Sequence, residues 1–275
     1  MKLSVFFHHI MEGAKQRGIT LAEALEYAHE CGIDYVEADL RELQEIGDGA
    51  YPLISGSGLK LGAVNGFFDF AHKDETAGII RFLDTAADFG AKLAMAIPGF
   101  IECGEDKNAA REKMAEALRF CVNEARARSL RLVLEDFDSD KALYGSIEDL
   151  KWFMDSVPDL GCAFDTGNFI YHADDALKAY DVFRGNIAHV HLKDRAEDAR
   201  YGASPLRCVD GRVLYPAYVG SGIIPIAKIL DRLFEDGYDG ICAIEHFGAA
   251  DQLEAMRVSA EWLRAYEGEK VKGVL

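Results

Sequence analysis

Short apolar runs alternate with longer amphipathic ones along all 275 residues of the chain, and this rhythm narrows the fold more than any other feature. Runs rich in Val, Ile, Leu, Phe or Ala begin near Lys2, Asp34, Leu61, Lys92, Arg131, Leu160, Ile187 and Gly240. Being apolar on both faces, they read as buried parallel strands, unlike the half-exposed strands of a sandwich. The stretches between them have helical starts: Thr20-Leu-Ala-Glu23 and Ser146-Ile-Glu-Asp149 each set a capping oxygen ahead of an acid in the first turn. Between Asn108 and Arg128, Met114, Leu118, Cys121, Val122 and Ala125 recur at helical spacing among charges, a stripe suited to packing on a sheet. Eight βα units in a chain of this length predict one α/β domain, a single (β/α)8 TIM barrel spanning residues 1-275. An open doubly wound sheet carries a similar alternation, but no GxGxxG follows the first strand. One irregular stretch, residues 195-222, mixes Arg200, Tyr201, Arg207, Arg212, Tyr215 and Tyr218 with glycines and is expected to form a long loop after strand seven, of the kind that serves as a lid.

With 30 Lys and Arg against 47 Asp and Glu, the formal charge is −17. Such a chain repels phosphate backbones and anionic membranes, so a small sugar or polyol is the expected partner and nucleic acid and membrane are not. The six cysteines are scattered and form no CxxC pair, which suits reduced structural thiols. The opening MKLSVFFHHIM is interrupted by histidines too early for a signal peptide, and no apolar run reaches the ~18 residues of a membrane span. These absences lead to the expectation of a cytoplasmic enzyme.

In a parallel barrel the site lies at the C-terminal ends of the strands, so polar residues that terminate apolar runs are the first to weigh. Strand five ends Arg131-Leu-Val-Leu-Glu135, six Cys162-Ala-Phe-Asp165-Thr-Gly-Asn168, seven Ala188-His-Val-His191, and eight Cys242-Ala-Ile-Glu245-His246. Consecutive strands bring Glu135, Asp165, His191 and Glu245 to one mouth. Three converging carboxylates repel one another unless a cation joins them, and an oxygen-rich set with one imidazole suits Mn²⁺, Mg²⁺ or Co²⁺ and can hold Zn²⁺. Each residue also has an ordinary reading: a helix cap for Asp165, a satisfied barrel histidine for His191, ion pairs with Arg131 or Lys193 for the glutamates.

Glu135, Asp165-Thr-Gly-Asn168, His189-Val-His191-Leu-Lys-Asp194, Gly220-Ser-Gly222 and Glu245 occur in this order over the C-terminal half. In them the chain resembles the xylose isomerase-like barrel superfamily of sugar isomerases, epimerases and inosose dehydratases; the N-terminal half shares only the βα rhythm. The resemblance to the ketose epimerases implies that Glu135 and Glu245, besides holding metal, move the substrate proton, one on each face. Each glutamate is then expected to bind metal through one oxygen and keep the other for the proton. Two positions depart from those epimerases: Asn168 stands where they carry a substrate-binding His, and Glu197 where they carry an Arg. Phe137 stands where the dehydroshikimate dehydratases carry a His. The HVHLKD run looks closer to the inosose dehydratase and isomerase branch, which implies that Lys193, with Asn168, lies near the substrate. The implied activity is a divalent-metal-dependent isomerase or epimerase of a small sugar, ketose or inosose, with an inosose-type dehydratase (a lyase) as the alternative. A homodimer is the assembly expected.

Glu37 and Asn65, ending strands two and three, are expected to complete the substrate pocket, although Glu37 also fits an ion pair and Asn65-Gly66 a turn. His8 and His9 would point to opposite faces if strand one continued through them. Phe6, Phe67 and Phe68 would either wall a sugar pocket or pack in the core. Two rivals remain: an apurinic endonuclease, which resembles this barrel but needs more strand-end histidines for three zinc ions, and a non-catalytic sugar-binding barrel, which would be expected to have lost a glutamate.

Overall fold

The computed structural model describes residues 1–271. Its strands are β1 (Lys2–Phe6), β2 (Tyr35–Asp39), β3 (Lys60–Phe67), β4 (Leu93–Ile97), β5 (Arg131–Glu135), β6 (Gly161–Asp165), β7 (Ile187–Ala196), β8 (Leu206–Arg207), β9 (Val213–Ala217) and β10 (Ile241–Glu245). β1 to β7 follow one another in parallel, and β10 pairs in parallel with both β7 and β1, so the ring closes on itself without an edge. Leu3, Val5, Val36, Ala94, Leu134, Phe164, Val190 and Ile244 are fully shielded from water, which is why these runs are apolar on both faces.

The helices are α1 (Phe7–Arg17), α2 (Leu21–Glu30), α3 (Leu40–Ile46), α4 (Ala50–Gly56), α5 (Thr76–Asp88), α6 (Lys107–Ala127), α7 (Ile147–Ser156), α8 (Ala176–Phe183), α9 (Ile226–Glu235) and α10 (Gln252–Val271). The expected caps form. Thr20 Oγ1 accepts from Glu23 N at 3.2 Å while Glu23 Oε2 accepts from Thr20 N at 2.8 Å, and Ser146 Oγ accepts from Asp149 N at 3.2 Å. The apolar stripe of α6, from Met114 to Ala125, is buried against the barrel. No helix among the described residues is long and apolar enough to cross a membrane.

Residues 195–222 are not the loop expected from their composition. β7 runs on to Ala196, β9 pairs antiparallel with its last residues, and β8 pairs with β9, so a small antiparallel ribbon extends the barrel wall at its mouth. Asp194 anchors the segment: its carboxylate accepts from the backbone N–H groups of Arg195, Gly220, Gly222 and Ile224 at 2.8 to 3.1 Å. At Gly222 a Cβ would sit 2.2 Å from Asp194 Oδ1, so only glycine lets the backbone come this close.

Candidate metal centre

Glu135, Asp165 and Glu245 close β5, β6 and β10, while His191 sits midway along β7. The ladder pairs His191 with Asp165 on one side and Ala243 on the other, so its ring stands level with the neighbouring strand ends although β7 continues past them. The four side chains are buried and offer ligand atoms that all lie within 4.8 Å of one another. His191 Nδ1 is 2.6 Å from Glu135 Oε1 and 3.5 Å from Glu245 Oε2. The Lys193 ammonium donates to Asn168 Oδ1 at 2.7 Å, pairs closely with Glu245 Oε1, and stands 3.4 Å from Asp165 Oδ2.

The protein's own charges do not balance this cluster. Burial pushes the carboxyls of Glu135, Asp165 and Glu245 up; for Asp165, Lys193 opposes the rise and Glu245 adds to it, leaving it at about 7. Burial alone would keep His191 neutral, but Glu37 and Glu135 outweigh it and raise the ring well above its ordinary value. Asp165 Oδ2 and Glu245 Oε2 are buried without a hydrogen-bond partner. Two orphaned carboxylate oxygens beside an imidazole nitrogen, in a cluster short of positive charge, fit a divalent cation.

Behind His191 lies a second contact. Glu37 Oε1 is 3.2 Å from His191 Nε2, and Glu37 Oε2 is 2.7 Å from His189 Nε2. Glu37 is fully shielded from water and does not line the pocket, which corrects the expectation that it binds substrate. With His191 Nδ1 turned to the cluster, Glu37 is placed to accept the Nε2 proton and fix the ring. His189 is one layer deeper in the barrel and shares Glu37.

Above the cluster opens a cavity of about 670 Å³. Asn65, Asn168, Lys193, Glu135 and Glu245 form its floor, so three of the four expected substrate contacts do face it. Asn168 is pinned by donating from Nδ2 to Asp136 O at 2.8 Å, whereas Asn65 Oδ1 has no partner. Phe6 and Phe67 line the cavity, while Phe68 packs on Phe82 and Phe70. The strand ends at Phe6, so His8 and His9 belong to α1: His8 reaches the pocket and meets Glu42 at 3.2 Å, and His9 is buried, stacked on His246. Sequence reasoning missed Phe137, Asp138, Arg195 and Phe247, all of which line the cavity. A signal for Arg195 was present, because His189, His191, Lys193 and Arg195 alternate on one extended strand and therefore share a face.

A family model described as xylose isomerase-like TIM barrel matches residues 25–266. Among solved structures, an L-ribulose 3-epimerase superimposes with a TM-score of 0.76 at 15% identity, covering 99% of this chain and 97% of its own. The IOLI protein with a binding zinc atom gives a TM-score of 0.74 at 18% identity, with 97% and 98% covered. The probable 3-DHS dehydratase AsbF of Bacillus anthracis, involved in petrobactin synthesis, also gives 0.74, at 14% identity with 96% and 99% covered. At these identities the likeness is one of fold.

Proposed function

The chain belongs to the xylose isomerase-like TIM barrel family, and from that premise we propose that it is a divalent-metal-dependent isomerase or epimerase of a small sugar, ketose or inosose. One observation carries the reading: Glu135, Asp165, His191 and Glu245 converge within 4.8 Å, Glu135 and Glu245 at the floor of the cavity and Asp165 and His191 buried beneath it, with two carboxylate oxygens orphaned. These four residues would hold one Mn²⁺, Mg²⁺, Co²⁺ or Zn²⁺. When bound, the cation polarises a substrate carbonyl and acidifies the adjacent carbon. Similar folds bearing the names of an epimerase, a zinc-binding protein and a dehydratase agree with a metal-assisted enzyme.

The residues supply the rest. Glu135 and Glu245, on separate strands, take the proton from one face and return one to the other, which permits inversion. Lys193 pairs with Oε1 of Glu245 and so fixes the direction of that carboxylate, leaving Oε2 for the cation and Oε1, beside the ammonium, for the proton. Asn65 and Asn168 offer amides to substrate hydroxyls, and the Phe6 and Phe137 rings exclude water from the reacting carbon. The alternative, dehydration, draws support from Lys193: its ammonium lines the pocket beside Glu245, placed to protonate a departing hydroxyl.

The test is a screen of ketoses and inososes in deuterated water with metal-loaded protein. Isomerisation predicts metal-dependent deuterium uptake at the carbon beside the carbonyl, abolished in Glu245→Gln. Loss of water from the substrate would favour the dehydratase. Neither outcome with any candidate would reject both activities, and turnover unchanged in Glu245→Gln would remove that residue from proton transfer.

A further inference from the structure

The cavity is larger than its floor requires, and its upper walls are aromatic. The floor residues Glu135, Asn65, Asn168, Lys193 and Glu245 are at most 7% exposed, whereas Phe67 and Phe247, lining the same cavity, are 41% and 45% exposed. A fold ordinarily buries such rings, and apolar surface left open beside polar groups marks a binding site. Each ring is braced by others. Phe67 meets Phe137 at 6.5 Å, and Phe137 rests on Phe100 at 5.2 Å; Phe247 meets Phe6 at 5.7 Å and His9 at 4.5 Å. In the ring of strands, β10 and β1 carry one aromatic wall and β3 and β5 the other, separated by β2 on one side and by β6 and β7 on the other.

The rim is a built wall. Ser204, Pro205 and Leu206 close it beside Phe247, and their segment is locked to the turn after β10, where Ala250 N donates to Tyr201 O at 2.8 Å and a Cβ on Gly202 would lie 2.1 Å from Gly248 O. Arg195 also lines the cavity. Its guanidinium is held by Asp138 Oδ2 at 2.7 Å, its side chain is 8% exposed, and its Nε is buried without an acceptor. A cavity of about 670 Å³ holds roughly twenty waters at about 30 Å³ each, which is room for nearly twice the heavy atoms of a single hexose. Asp39, Glu42 and Glu45 on the β2 side, with Arg41 among them, outnumber the cations there and disfavour an anionic group.

We propose that the substrate is a glycoside with a ketone on the sugar at the carboxylate floor: through its glycosidic bond that sugar carries a second ring that packs between Phe67 and Phe247 and accepts a hydrogen bond from Arg195. This rests on the sugar reading above and narrows it to a two-ring ligand. The apolar face of a sugar or aryl ring matches a phenyl wall, and the Arg195 Nε donor discriminates ligands that offer it an acceptor.

The test measures binding of cellobiose, maltose, lactose and phenyl β-glucoside, with glucose and galactose as one-ring references, to Mn²⁺-loaded wild type, Phe67→Ala and Phe247→Ala by calorimetry. The expected result is at least one two-ring ligand bound at least about 10-fold more tightly than its monosaccharide, with that ratio falling about 5-fold or more in each variant. Disaccharides and the phenyl glucoside, compared with each other, tell whether the second ring is sugar or aryl. Equal affinity for one-ring and two-ring ligands, unmoved by the variants, overturns the inference and leaves the sugar reading standing. Failure of every one of these ligands to bind metal-loaded protein overturns this inference, while the ketose and inosose screen above decides the sugar reading separately. Sedimentation of the same variants is the control: if wild type is a dimer and either change dissociates it, the two rings form a subunit contact and the proposal fails.

Discussion

The Glu37 carboxylate faces Nε2 of both His189 and His191 and is itself shut off from water, so its influence on the site passes through the imidazole of His191. Replacing it with Gln is expected to weaken Mn²⁺ binding about 10- to 100-fold while the protein remains folded, measured by calorimetry beside circular dichroism. The sequence marked Glu37 as a polar residue on an apolar strand. It did not reveal the depth, because Glu37 and Asp39 share a face and the stagger between strands decides which of them reaches the mouth. Asp165 makes a second prediction. Its folded-state value of about 7 lies above the ordinary carboxyl value, so it contributes stability that is fully present below about pH 4 and lost as pH rises through about 7. Chelator-treated wild type should lose that contribution between pH 4 and 7, and Asp165→Asn should flatten that part of the profile; an unchanged slope in the variant would assign it to other groups.

Asp194 ties the end of β7 to the segment leading into α9 through four backbone N–H groups, so it acts on an element as a whole. Asp194→Ala leaves those donors without their acceptor and is expected to cost about 3 kcal/mol or more, a fall in Tm of roughly 6 °C or more by thermal denaturation. The barrel strands were legible in local pattern: the expected starts at Lys2, Asp34, Leu61, Lys92, Arg131, Leu160, Ile187 and Gly240 fall within one residue of the observed ones. Burial on both faces writes apolar residues at consecutive positions, and that signal needs no knowledge of partners. β8 and β9 were not legible, because pairing of β9 with the tail of β7 joins a polar, glycine-containing stretch to a distant strand. The same extension explains Arg195, which was assigned to a loop and lies on the strand face of His191 and Lys193.

At the scale of the molecule, pairing of β10 with β7 and closure onto β1 bring three strand ends and the middle of β7 into one cluster. The candidate cluster was readable because its residue types stood at the ends of apolar runs; the aromatic walls were not, since Phe137 and Phe247 lie just past strand ends where sequence pattern cannot separate a pocket lining from core. The buried carboxylates are strained by one another's charge, and a cation that binds only the folded chain should stabilise it. Calorimetric titration of Mn²⁺ into chelator-treated protein, wild type beside His191→Ala, tests this centre most directly. The account predicts one ion per chain in the wild type and loss of that binding in the variant. No binding in the wild type, or equal binding in both, would contradict it.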